Sequence, residues 1–179
     1  MRKVLTIKAA CGIVRILLMA TFVLLSTASL GQGGPTDSIP GDPGALSVYN
    51  VQNMAFGAFS HGAAGGTVRI SSAGSRTATG NVTLLNLGVS YFQAIFDIEA
   101  PQGSIISILN GPNAVLTGSN GGTMTLQLGT SLPGSPFINM QPSPARSSVS
   151  IGGTLTVGSA ASNPPGTYTG TFYITFNQE

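Results

Sequence analysis

The chain has 179 residues, 42% hydrophobic and only 7% charged, with one cysteine and one histidine. Its formal net charge of +2 comes from seven basic residues, but Arg2, Lys3, Lys8 and Arg15 are four of them. The rest of the chain sets Arg69, Arg76 and Arg146 against Asp37, Asp42, Asp97, Glu99 and Glu179, with no lysine, which excludes the basic stripe a nucleic-acid-binding surface needs.

Residues 1–31 read as a signal peptide. A basic start is followed by the apolar stretch Ile16–Leu25 and then by the small residues Ser26–Gly31. Cleavage fits after Ala28 or after Gly31. The apolar stretch is shorter than the ~20 residues of a membrane span, so no span is expected once the leader is cleaved. Cys11 precedes the apolar stretch, which argues against lipid anchoring through a cysteine placed after it. The processed chain then has no thiol and no disulfide, and its hydrophobic core must hold it together. An exported protein without disulfides fits a bacterial source. The expected compartment is the extracellular space or cell surface, with the periplasm as the alternative.

Gln32–Gly44 reads Q-G-G-P-T-D-S-I-P-G-D-P-G, a linker whose prolines and glycines prevent regular pairing. Residues 45–179 form the predicted domain. Leu46–Val51 and Met54–Phe59 open it. Thr67–Ser71 points Val68 and Ile70 inward and Arg69 outward, and a turn leads to Arg76–Leu84, predicting a hairpin. Tyr91–Ile98 places Phe92, Ala94, Phe96 and Ile98 on the inner face. Ile105–Leu109 is a more uniformly apolar run, as in a strand buried on both sides. Val115-Leu116 is a fragment. Thr123–Leu128 turns Met124, Leu126 and Leu128 inward. Val149–Ile151 and Thr154–Val157 follow the Pro- and Ser-rich stretch Thr130–Arg146. The final run alternates cleanly, with Tyr168, Gly170, Phe172, Ile174 and Phe176 on one side and threonines and Tyr173 on the other.

No window after residue 31 has helical periodicity. Short alternating runs broken by turn residues imply an all-β fold, an immunoglobulin-like antiparallel β-sandwich of about eight or nine short strands. An up-and-down barrel is the alternative architecture. Threonines occupy the outward positions throughout, giving a wet, nearly uncharged surface.

The candidate site residues are few. His61 sits in the Gly-rich segment Ser60–Gly66 and has no acidic neighbour in sequence, so an exposed turn residue is expected. Asp97 and Glu99 share one face of a strand. Paired carboxylates of this kind serve glycoside hydrolysis, or calcium binding if oxygen donors such as Asn110, Asn113 and Asn120 approach. A solvated face is the simpler expectation. Structural zinc needs four ligands that this chain does not supply. No catalytic residue, cofactor or metal is therefore expected. The loops Ser60–Gly66, Asn110–Gly122 and Thr130–Arg146 are the expected contact regions.

Four segments carry a family resemblance: F-G-A-F-S (Phe56–Ser60), G-G-T-V-R-I-S-S-A-G-S-R-T-A-T-G (Gly65–Gly80), G-G-T-L-T-V-G (Gly152–Gly158) and P-G-T-Y-T-G-T-F (Pro165–Phe172). Together they resemble the secreted bacterial family known as domain of unknown function 4402. That family supplies no established catalytic residues. The last segment is also similar to the final strand of spore-coat-U and fimbrial-subunit sandwiches, which implies surface fibres. Strand donation needs an alternating apolar N-terminal extension, and Gln32–Gly44 offers only Ile39. The expected function is a non-enzymatic structural or adhesive surface module that associates with itself, with other surface proteins or with carbohydrate. A soluble periplasmic or extracellular carbohydrate-binding module is the alternative, and a glycoside hydrolase is the weakest reading.

Overall fold

A computed structural model describes residues 45–179 and, for residues 3–11, the backbone. The apolar stretch, both cleavage positions and the Gln32–Gly44 linker lie outside the described residues. The described residues contain no helix. They form strands β1 (Lys3–Cys11), β2 (Ser47–Gln52), β3 (Ala55–Phe56), β4 (Phe59–Ile70), β5 (Arg76–Leu84), β6 (Tyr91–Phe92) and β7 (Ala94–Glu99). Then come β8 (Ile105–Asn110), β9 (Ala114–Gly118), β10 (Thr123–Leu132), β11 (Phe137–Ile138), β12 (Ser147–Val157) and β13 (Tyr168–Gln178). Every strand pairing is antiparallel. The architecture is the expected all-β sandwich, with more strands than the sequence suggests and with β4, β10 and β12 longer than expected.

Two long strands organise it. β12 pairs with β10 along one edge and with β7 and then β4 along the other. β13 pairs with β8 and β9 in succession, so these two act as one strand interrupted at residues 111–113. β1 runs along β13 from Lys3 opposite Phe176 to Cys11 opposite Tyr168. The hydrogen-bonded path ends at β5, while β3 and β6 form a separate pair.

Strict alternation in the long strands delivers the core. Val149, Ile151, Leu155 and Val157 of β12 are buried, as are Tyr168, Phe172, Ile174 and Phe176 of β13. Phe96 of β7 meets Phe176 with ring centroids 5.5 Å apart, a tilted arrangement that joins opposite parts of the sandwich.

Several expectations are corrected. The Tyr91–Ile98 run breaks at Gln93, because β6 pairs with β3 and leaves the main sheet. Phe92 is consequently 43% exposed and not an inner-face residue. β8 alternates: Ile106 is buried, while Ile105 and Leu109 are 41% and 64% exposed, since none of the described residues covers its outer face. Ser60–Gly66 is not a loop but part of β4. There residues 62–65 bulge opposite Asn81 between the pairs His61–Val82 and Gly66–Gly80. The segment Asn110–Gly122 contains β9, and Thr130–Arg146 contains the end of β10 and β11.

Candidate functional site

Two of the motifs that carry the family resemblance meet in space. Gly57 takes a left-handed backbone (φ +69°) between β3 and β4, which only glycine adopts without strain. This exposes the carbonyls of Phe56 and Ala58 to one guanidinium. Arg76 Nη1 donates to Phe56 O at 3.0 Å and to Ala58 O at 3.3 Å, and Nη2 donates to Leu85 O at 3.3 Å. A Cβ on Gly57 would overlap Arg76 Nη1. The planar fork spans three acceptors on two segments, which a lysine cannot do. Arg76 also lies over the ring of Tyr91, 4.3 Å from its centroid. The clamp thus fixes the β3–β4 junction and holds an aromatic ring at the domain surface.

Beside that ring the chain from Asn86 to Phe92 shapes an open groove, lined by Asn86, Gly88, Val89, Ser90, Tyr91 and Phe92. Tyr91 and Phe92 are each 43% exposed, and Leu87 on the same segment is 62% exposed.

The threonines form a second feature. Thr79, Thr67, Thr156, Thr125 and Val115 are successive register partners across β5, β4, β12, β10 and β9. Thr77, Arg69, Thr154 and Gln127 form the next row. Thr123, Thr117 and Thr169 extend the face onto β13. The hydroxyls of Thr67 and Thr79 are 2.7 Å apart and hydrogen-bonded. Arg69 is the one charge in these rows.

The carboxylates expected as a pair have separate environments. Glu99 accepts from Ser143 Oγ at 2.9 Å and from Tyr49 Oη at 3.4 Å, and its Oε2 lies 3.6 Å from Arg146 Nε. Arg146 stacks 3.6 Å over the Tyr49 ring. Asp97 sits in register between Tyr49 of β2 and Ser148 of β12 and takes no part in that cluster. The asparagines are occupied elsewhere: Asn110 Nδ2 donates to Gly129 O at 2.9 Å, and Asn120 Nδ2 to Pro165 O at 2.6 Å. Asn113 is exposed in the break between β8 and β9. No group of three His, Cys, Asp or Glu side chains gathers among the described residues.

His61 is not an exposed turn residue. It lies half-buried in β4, opposite Val82. Its Nδ1 is buried and has no hydrogen-bond partner among the described residues. It borders a small, partly open pocket with Phe59, Met124, Pro164 and Tyr168.

Two buried asparagines do the structural polar work. Asn163 accepts from Gly158 N and donates to Thr123 O at 2.7 Å, tying the loop before β13 to β10 and β12. Asn139 donates to Ala100 O at 2.7 Å and accepts from Ser147 Oγ at 2.6 Å. No spacing signal in the sequence marks either one, nor the Arg76 clamp. Gly57 and Arg76 each lie in a family-resembling segment, but nothing in those segments shows that they meet.

The fold and its surface define an all-β sandwich whose conspicuous features are an arginine clamp, an aromatic groove and a threonine face. The chain belongs to the family described as Domain of unknown function (DUF4402), whose model matches residues 46–177. No curated protein and no solved structure matches it.

Proposed function

We propose that this protein is an exported, non-enzymatic structural or adhesive module that associates through its strand faces and edges. The observation that carries the reading is the threonine face: registered rows across β5, β4, β12, β10, β9 and β13 with a single charge. Such a surface stays hydrated yet offers almost no electrostatic repulsion to another copy. Elsewhere the exposed cross-strand pair Ile105–Ile138 adds apolar area. Cleavage of the leader would take β1 with it and open the second edge of β13 to a strand from another molecule. Glu99 is engaged by Arg146, Ser143 and Tyr49, which supports reading it as a structural anion.

The test is sedimentation velocity and electron microscopy on the processed chain, beside Thr125→Lys/Thr156→Lys. Concentration-dependent assembly that the double variant abolishes is the expected result. A single monomeric species at every concentration would refute self-association. Fractionation of the native host tests export.

A further inference from the structure

We infer that the groove along residues 86–92 is a binding site for neutral polysaccharide, with Tyr91 as its stacking platform. This deepens the adhesive reading by naming a ligand class, and it does not depend on self-association.

The chemistry of the groove selects the ligand. Tyr91 and Phe92 are adjacent yet equally exposed, at 43% each, because β6 is only two residues long and pairs with β3 outside the main sheet. Sequence alternation would hide one of them in a longer strand. Val89 adds apolar lining, and Asn86 and Ser90 supply amide and hydroxyl groups along the same groove. An aromatic face beside a few polar groups matches a pyranose ring, which presents C–H bonds on its faces and hydroxyls on its rim.

Charge narrows the class further. Arg76 is the cation at this site, and its guanidinium is committed to three backbone carbonyls and to the underside of Tyr91. Among the described residues no acidic one lines the groove. A uronic-acid or sulfated polymer would find no free cation here, and a cationic one no anion, so the match is to an uncharged chain. The clamp also immobilises the Tyr91 ring before any ligand arrives, which lowers the ordering cost of binding. Tyr173, 44% exposed on β13, does not line this groove and serves as an internal control.

The test uses the processed chain on an array of neutral, uronic-acid-bearing and sulfated polysaccharides, followed by affinity electrophoresis in the neutral polymer that binds best. Tyr91→Ala is expected to weaken binding at least ~10-fold, as loss of about 1.4 kcal/mol of stacking requires. Phe92→Ala should weaken it less, while Tyr91→Phe and Tyr173→Ala should bind as the parent does. Circular dichroism on each variant confirms folding. Binding to no neutral polymer, a preference for the anionic ones, or equal loss from Tyr173→Ala would overturn the assignment. Because the array reads binding by monomer and assembly alike, its failure leaves the sedimentation result on self-association intact.

Discussion

Replacing Arg76 tests the clamp that joins two family motifs. Phe56 and Ala58 are each 1% exposed, so in Arg76→Ala their carbonyls lose a charged donor where water has poor access. A hydrogen bond to a charged group contributes about 1.5–3 kcal/mol. The three here share one half-buried guanidinium, and two are long at 3.3 Å, so they do not add fully. We take about 2–3 kcal/mol for the set and ~0.5–1 kcal/mol for the ring contact. Loss of about 3 kcal/mol lowers the Tm of a domain of this size by about 10 °C. Arg76→Lys keeps one hydrogen bond and should lose about half as much. Gly57→Ala pays left-handed strain of ~1–2 kcal/mol and also displaces the guanidinium. In the Arg76→Ala background the clash with the guanidinium is gone, while the strain and the close approach to Val89 O and Tyr91 Cβ remain, so the double variant should be more stable than the sum of the singles predicts by about 2 kcal/mol. Thermal unfolding followed by circular dichroism reads all four proteins. An Arg76→Lys protein as stable as the parent, or additive single variants, would refute the clamp.

Asn163→Ala should cost about 2–4 kcal/mol by leaving Gly158 N and Thr123 O without their buried partner; urea unfolding with an unchanged m-value checks it. His61→Leu should raise stability by about 1 kcal/mol, because it removes a buried, unpartnered nitrogen from an apolar pocket, and a lower melting temperature would contradict that. Glu99→Gln should change stability by less than ~1 kcal/mol, since its ion pair with Arg146 is part-exposed, and it should leave polysaccharide binding unchanged on the same array.

Alternation made the framework of this domain legible. Every inward residue assigned to Thr123–Leu128 is buried, and so are the side chains Tyr168, Phe172, Ile174 and Phe176 of the last strand. These strands are flanked by neighbours along their length, so local pattern and tertiary demand agree. The pattern failed where a strand leaves the sheet or loses its cover. Phe92 obeys the alternation of its run but belongs to the β3–β6 pair, and a run of apolar residues at 105–109 does not reveal that its outer face is bare. The bulge in β4 disguised His61 as a loop residue, because Gly62–Gly66 carries no side chain large enough to show periodicity. The candidate sites were less legible still. Arg76, Asn139 and Asn163 act on backbone carbonyls and amides from distant segments, and such contacts leave no spacing in one sequence. The threonine face was visible as composition, but only the register shows that Thr79, Thr67, Thr156 and Thr125 stand in one line.

The distribution of charge ties these features together. The domain from residue 45 onward has three arginines and three carboxylates. Arg76 serves the backbone, Arg146 is held between Tyr49 and Glu99, and Glu179 accepts from Ser107 Oγ at 2.9 Å. Beyond the Arg146–Glu99 ion pair, the side-chain charges from residue 45 onward are Arg69, Arg76, Asp97 and Glu179, two of each sign. So few charges of balanced sign generate little long-range field, and salt screens what there is within about 10 Å at 0.1 M. Association of such a molecule must then come from short-range fit: ring faces, hydroxyl rows and strand edges. Its binding and self-association should hold nearly constant between low and high salt. A steep fall with ionic strength would instead assign the contact to charged groups such as Arg69 or Asp97 and remove the uncharged face and groove from the account.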